Sequence, residues 1–267
     1  MHANILTMRI GIVGFGNMGQ AFTLCLSRKV GKENITVTDI DSEKRNLAVE
    51  MGIAFASDIK FLADTSELVI IAVKPKDAKS VLEKLKDYKG ILVSIMAGVK
   101  IEDIEGIVGK DKKIVRVMPN IAVAVGSGVM AITDNGKLTE EERKRVEEIF
   151  LSCGSLHRID ENLFDPFTAL AGSGPAYILA FLDGLALAGV HQGFRYNQAL
   201  KIAIDTLIGS AKLLKEFSQN PNEIITKVSS PAGTTIEGLK FLETKGFKGI
   251  VMECIEKTAE KAKKLKK

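Results

Sequence analysis

Only three cysteines occur in the 267-residue chain, Cys25, Cys153 and Cys254, and no two of them form a C-x-x-C pair. An odd count at such wide spacing excludes a disulfide framework and a structural zinc site, and it fits a reducing compartment. Histidine is equally scarce: His2, His157 and His191 sit in no motif. With no Ser-His-Asp set and no metal-ligand cluster, neither triad hydrolysis nor metal chemistry is expected. Charge of one sign is also lacking. The formal net charge is +4, and much of the basic excess lies in residues 257–267, which read as a solvated helix end rather than a nucleic-acid arm. No secretory signal is visible; Met8 opens the first apolar run, so residues 1–7 read as a loose extension or as a stretch ahead of an alternative start. The expectation is a cytoplasmic protein without a nucleic-acid partner.

Long hydrophobic runs are missing with one near-exception. Residues 176–190 are almost wholly apolar, with Asp183 their only charge. That run of 15 residues is short of the ~20 that cross a bilayer, so no membrane partner is expected. A helix apolar on all sides must nevertheless be buried on most of them. A terminal domain of about a hundred residues has little interior to hide it, so a subunit interface, and hence a homo-oligomer, is expected.

What is present is a glycine fingerprint. Arg9 to Val13 reads as a strand, Gly14-Phe15-Gly16-Asn17-Met18-Gly19 follows, and a helix runs from Met18. Gly14 permits the tight turn, Gly16 lets the backbone approach a pyrophosphate, and Gly19 lets helix and strand pack closely. Asp39 ends the next strand, twenty residues after Gly19, where a ribose-binding acid belongs. Further strands are expected at 68–72, 91–94, 113–117, 129–133 and 155–159, with helices between them at 42–51, 57–63, 77–85, 101–108 and 139–151. The last of these opens with a Thr139/Glu142 capping box. This alternation predicts a parallel sheet wound on both faces.

From Glu161 strand signals vanish. Helices are expected at 161–171, 175–193, 197–218, 221–228, 235–244 and 247–264. The fold class is therefore an α/β Rossmann-type dinucleotide-binding domain, residues 1–160, followed by an all-α domain, residues 161–267.

Ligands of open parallel sheets bind at the carboxyl ends of the strands. Val73-Lys74-Pro75, Met96-Ala97-Gly98 and Met118-Pro119-Asn120 lie there, either as walls for a nicotinamide or simply as strand-to-helix turns. In the helical part, Ser229-Ser230-Pro231-Ala232-Gly233-Thr234-Thr235 sets four hydroxyls before a helix. Such a loop suits a small carboxylate; it is also an ordinary helix start, with Thr234 and Glu237 as a second capping box. Alcohol oxidation would require a positioned acid or base. An imine can arrive protonated at nitrogen, and hydroxyls, amides and a reduced nicotinamide then suffice.

These motifs, together with Gly172-Ser173-Gly174-Pro175-Ala176-Tyr177 and Gly238-Leu239, resemble those of the pyrroline-5-carboxylate reductase family, which makes proline from its cyclic imine precursor. The resemblance runs from Met8 nearly to the C-terminus. It implies that Ser230, Gly233 and Thr234 hold the substrate carboxylate and that Thr235 sets its hydroxyl against the ring nitrogen as the catalytic group. It implies NADH or NADPH as cofactor, with the pyrophosphate on Phe15 to Met18 and the nicotinamide beside Ala97, Gly98 and Asn120. It implies a homodimer through the helical domain, with a decamer of five dimers as the larger assembly. Two positions depart from the family. Thr38-Asp39 stands where NADPH-preferring members carry Ser, Asn or Arg, which predicts good use of NADH. Ala232-Gly233-Thr234 replaces the frequent Gly-Gly-Ala. The competing readings are a β-hydroxyacid dehydrogenase-like enzyme, which would need a catalytic lysine such as Lys201, Lys212 or Lys227, and a non-catalytic dinucleotide sensor.

Overall fold

Residues 7–217 and 220–264 are described by the computed structural model. They divide into two compact units, one running to Pro175 and resuming at Thr258, the other Ala176–Lys257.

In the first unit, short β-branched runs build eight strands: β1 (Ile10–Val13), β2 (Ile35–Thr38), β3 (Ala54–Phe55), β4 (Leu68–Ile71), β5 (Ile91–Ser94), β6 (Lys113–Met118), β7 (Gly128–Asp134) and β8 (Gly154–Arg158). They pair in the order β3-β2-β1-β4-β5-β6-β7-β8. The helices between them are α1 (Asn17–Val30), α2 (Ser42–Glu50), α3 (Ile59–Thr65), α4 (Ala78–Lys84), α5 (Ile101–Val108) and α6 (Glu140–Leu151). Every residue of β1, β4 and β5 is buried, because helices cover both faces of the sheet. On one face Ile12, Val93 and Val117 pack with Phe22 and Leu26 of α1 and Phe150 of α6. On the other, Val69, Ile71 and Ile114 pack with Leu62, Leu82 and Ile104 of α3, α4 and α5.

Two sheet features differ from the sequence expectation. β3 has two residues, too few for a periodicity to register. β7 runs antiparallel to β6, so the sheet is not wholly parallel. Residues 119–127 hold only a 3₁₀ turn, Ile121–Val125, and fall short of the dozen or so residues that a parallel crossover needs. The chain has room for α6 before β8, which then returns parallel to β7. The Thr139 cap is present: Thr139 Oγ1 accepts the Glu142 N–H at 3.2 Å, and Glu142 Oε2 accepts the Thr139 N–H at 2.9 Å.

Beyond β8 the expected 161–171 helix is broken into a 3₁₀ turn (Glu161–Leu163), the short α7 (Phe164–Phe167) and a π-helical turn (Thr168–Gly172). The Thr168 hydroxyl donates to the Phe164 carbonyl at 2.7 Å, and the Ser173 N–H reaches back to the Thr168 carbonyl at 2.8 Å, which widens that turn. Then come α8 (Gly174–His191), α9 (Tyr196–Phe217), α10 (Pro221–Val228), α11 (Thr234–Thr244) and α12 (Phe247–Lys264). Ser218 at the end of the expected 197–218 helix, residues 1–6 of the N-terminal extension and residues 265–267 of the basic tail lie outside the described residues.

The apolar stretch expected to be fifteen residues long is part of a longer helical run. Glu161–His191 spans 31 residues and is long and apolar enough to cross a membrane by length and composition, yet only 11% of its apolar window is buried within the chain. The cysteines are also closer than their spacing suggests. Cys25 and Cys153 are both free, buried and in one core. The Cys25 thiol donates to the Ser152 carbonyl at 3.5 Å. The interaction of the two neighbouring thiols holds Cys25 below the usual thiol range and, together with burial, pushes Cys153 above it.

Candidate active site

The sheet order reverses between β1 and β4, and the crevice beyond the strand ends at such a switch point is where open α/β sheets take ligands. The glycine loop leaves β1 there. Gly14 has φ +98°, and a Cβ on it would fall 2.7 Å from the Ala72 carbonyl oxygen, so the loops after β1 and β4 meet at this glycine. A Cβ on Gly19 would overlap the Gly14 carbonyl, so only glycine lets α1 start this close to the strand. Gly16 differs: its Cβ would meet nothing within 4 Å. The fold leaves open space at this one glycine of the fingerprint, the one expected to let the backbone approach a pyrophosphate. Gly16 also caps α1 with no side-chain hydrogen bond, and the first turn carries no acidic residue. Asn17 and Met18 are accessible, while the Phe15 ring is buried in the core. Free N–H groups at the positive end of a helix, uncrowded by protein, fit a pyrophosphate.

Asp39 follows β2 beside this loop. One carboxylate oxygen accepts the Phe15 N–H at 2.6 Å and the other the Asp41 N–H at 2.9 Å. The Gly14 N–H bonds to the Thr38 carbonyl at 2.9 Å. The loop and the end of β2 are therefore one unit, with a carboxylate on its rim. Ile40 next to it is 99% exposed.

The other strand ends line up along the same edge. After β4 come Val73, Lys74 and Pro75; Pro75 opens a 3₁₀ turn and Lys74 is exposed. After β5, Ala97 and Gly98 are half-buried, and Gly98 turns the chain at φ +77°. After β6, Asn120 is 6% exposed and its amide is engaged within the fold. Its Oδ1 accepts the N–H groups of Ala122 and Val129, both at 3.2 Å, and its Nδ2 donates to the Ala171 carbonyl at 3.0 Å. Asn120 therefore ties β6, β7 and the π turn together, and one amide N–H is left over.

One pair absent from the sequence reading lies close by. Arg116 of β6 is 1% exposed and donates through Nη1 to Glu161 Oε1 at 2.8 Å; the same oxygen accepts the Ile101 N–H at 2.9 Å. The signal was an arginine inside the apolar strand Lys-Ile-Val-Arg-Val-Met.

The second unit presents the hydroxyl-rich loop at the start of α11. The expected Thr234/Glu237 capping box does not form. Gly233 is the N-cap, with no side-chain hydrogen bond, and Thr234 is already the first helical residue. Its side chain has left the capping position, so the first-turn N–H groups stay open to an anion. A Cβ on Gly233 would overlap Ser230 Oγ, so the glycine leaves room for that hydroxyl against the helix start. Ala232 has φ +54°, the only positive φ outside glycine among the described residues. Alanine in this region costs about 1–2 kcal/mol, strain of the kind that collects at functional loops. Ser230 and Thr234 are exposed and Thr235 is half-buried. Each set, the strand-end residues in the first unit and the loop in the second, is brought together within its own unit. Among the described residues no group of three or more His, Cys, Asp and Glu is placed to hold a metal ion.

Comparison with known proteins agrees with both halves. Residues 161–265 match the pyrroline-5-carboxylate reductase dimerisation family, and residues 9–98 match the coenzyme F420-dependent NADP oxidoreductase family. The chain is 75% identical to the pyrroline-5-carboxylate reductase of Aquifex aeolicus, over 99% of this chain and 100% of that one. It is 35% identical to the Escherichia coli enzyme of the same name, over 97% of this chain and 98% of that one. Among solved structures, a Plasmodium falciparum pyrroline carboxylate reductase with NADP bound superimposes with a TM-score of 0.90 at 32% identity, covering 97% of this chain and 98% of that one.

Proposed function

The chain belongs to the pyrroline-5-carboxylate reductase family and reduces 1-pyrroline-5-carboxylate to proline with NAD(P)H; from that premise we propose which residues do the work. Residues 1–160 form the nucleotide module and residues 161–267 the substrate and dimerisation module, a division supported by the two family matches. The bound nucleotide supplies the hydride for the imine carbon. Gly14 to Gly19 hold its pyrophosphate, and Asp39 takes the adenosine ribose. Val73, Lys74, Pro75, Ala97, Gly98 and Asn120 wall its nicotinamide end.

The uncapped start of α11 carries the substrate reading. Ser230, Gly233 and Thr234 bind the carboxylate there through hydroxyls and backbone amides. Thr235 sets its hydroxyl against the ring nitrogen, either donating a proton to a neutral imine or accepting the N–H of a protonated one and so fixing its orientation. An imine that arrives protonated needs no general acid, because its nitrogen already carries the proton that the product amine keeps.

Asp39 sets the choice of nucleotide. A carboxylate accepts hydrogen bonds from a ribose 2′-hydroxyl and repels a 2′-phosphate. Lys44 and Arg45 on α2 offset part of that repulsion. NADH is therefore used at least as well as NADPH. The protein self-associates through its helical domain, and the larger assembly we propose is a decamer of five dimers. Its free cysteine pair suits the cytoplasm, and neither nucleic acid nor membrane is among its partners.

The test is oxidation of NADH and NADPH in parallel by purified protein with 1-pyrroline-5-carboxylate, with proline quantified. Both nucleotides are expected to support turnover, with kcat/KM for NADH equal or higher. A strict NADPH preference would refute the role given to Asp39. Thr235→Ala is expected to lower kcat about 10- to 100-fold, the worth of one productive hydrogen bond, with the NADH KM unchanged. An unaltered kcat would reduce Thr235 to a helix residue.

A further inference from the structure

Arg116 has more hydrogen-bonding capacity than its surroundings use. It stands in the middle of the sheet, in register with Ser94 of β5 and Thr133 of β7. Its guanidinium lies 4.6 Å from the centroid of the Phe164 ring and spends Nη1 on Glu161. Nε and Nη2 are buried with no hydrogen-bond partner among the described residues. A buried ion pair is a weak stabiliser compared with apolar residues of the same volume, so stability alone gives little reason to keep an arginine here.

The arrangement of acceptors suggests what the pair does. Glu161 Oε1 accepts from Arg116 and also from Ile101, the first N–H of α5. One residue earlier, the Lys100 N–H is closed by Asp103 at 2.8 Å. The downstream end of the segment that joins β5 to α5 is thus held by two carboxylates. One belongs to the helix itself. The other comes from beyond β8 and is anchored on the sheet by Arg116. Ala97 and Gly98 lie in that segment, and Gly98 at φ +77° gives it a fixed turn.

We propose that Arg116 and Glu161 are positioning residues for the reduction, fixing the loop that carries Ala97 and Gly98 and so setting nucleotide affinity. This rests on the reading that the loop walls the nicotinamide. A pair retained only for folding would give the same loss of stability on removal; the two differ in the KM for nucleotide.

The experiment compares full-length Glu161→Ala, Glu161→Gln, Arg116→Lys and Ala97→Leu in steady-state kinetics with NADH, with Tm measured on each. Glu161→Ala is expected to raise the NADH KM about tenfold, with kcat within about threefold of the parent. Glu161→Gln keeps an oxygen for both donors and is expected to recover most of that loss. Arg116→Lys, which keeps the charge without the planar fork, is expected to fall between them. Glu161 is partly exposed, so its variants report even where Arg116→Lys fails to fold. An NADH KM within about twofold of the parent in Glu161→Ala, alongside a lowered Tm, would overturn the proposal. If Ala97→Leu raises the KM while Glu161→Ala does not, the clamp fails and the loop reading stands. If Ala97→Leu leaves the KM unchanged, the loop reading falls and the positioning role falls with it.

Discussion

A methyl group would have opposite consequences at Gly16 and Gly19, three positions apart. At Gly16 the added carbon meets open space, and φ −74° suits any residue. Alanine loses a good N-cap but stiffens the unfolded chain, opposing effects of about 1 kcal/mol each. Gly16→Ala is therefore expected to leave Tm nearly unchanged and, on the proposal that the pyrophosphate lies here, to raise the NADH KM at least about tenfold. Gly19→Ala places its methyl on the Gly14 carbonyl and is expected to lose about 1–3 kcal/mol of stability, as overpacked sites do. Thermal melts beside nucleotide kinetics on the two variants check the pair. The turn at Gly14 and the close packing at Gly19 were legible in the sequence, because each answers a steric demand that the strand–loop–helix context already states. Ala232 was legible only as a departure from the family; its left-handed backbone shows why a glycine is frequent there. The engagement of Asn120 with three partners was not legible, because they come from positions up to 51 residues away and a one-dimensional pattern carries no such distance.

Helices and strands that repeat a pattern could be read to within a residue or two, whereas connections too short for any pattern could not. β7 is the instructive element. Its antiparallel course follows from the length of residues 119–127, a matter of reach that hydropathy does not encode. What ties it to β8 and α6 is Asp134 at its end. That carboxylate accepts from Arg158 Nη1 at 2.9 Å, from Arg143 Nε at 3.2 Å and from the Gly136 N–H at 2.8 Å. Burial raises the pKa of Asp134, but the two arginines and the backbone N–H outweigh it, and the net shift is downward. A folded-state pKa below the unfolded one adds stability above the unfolded value, about 3.9, and loses it as pH falls through the folded value. Asp134→Asn is thus expected to cost about 2 kcal/mol at pH 7, or roughly 4–8 °C in Tm. The difference from the parent should close from about pH 4 downward, where the parent carboxylate takes up its proton. Melting both proteins between pH 7 and pH 3 decides the point; a gap that stays constant across this range would show that packing, not charge, holds β7.

The second unit, taken alone, has too little interior to account for its own folding. Its buried residues, among those described, are Leu182, Ala186, Ala199 and Ala203. On α8 the first two lie four apart and form a single inward stripe, while Ile178, Leu179, Phe181, Leu185, Leu187 and Val190 are each at least 38% exposed. The apolar surplus that the sequence revealed at residues 176–190 is therefore real in three dimensions, and the helical run that contains it lies in the segment matched by the dimerisation family. In the dimer proposed through this domain, a second copy supplies the missing interior. On a free surface, Leu179→Glu would change stability by no more than about 0.5 kcal/mol, because Leu179 is 64% exposed in the single chain. Under a partner subunit the same change buries an unpaired carboxylate, which costs several kcal/mol. The expected outcome is loss of the dimer by light scattering at micromolar protein, together with a large fall in Tm. The parent should show a Tm that rises with protein concentration, as mass action requires when folding and association are linked. A Leu179→Glu protein that keeps both its mass and its Tm would mean that the partner sits elsewhere on the helical domain, and that α8 is covered by something other than its own copy.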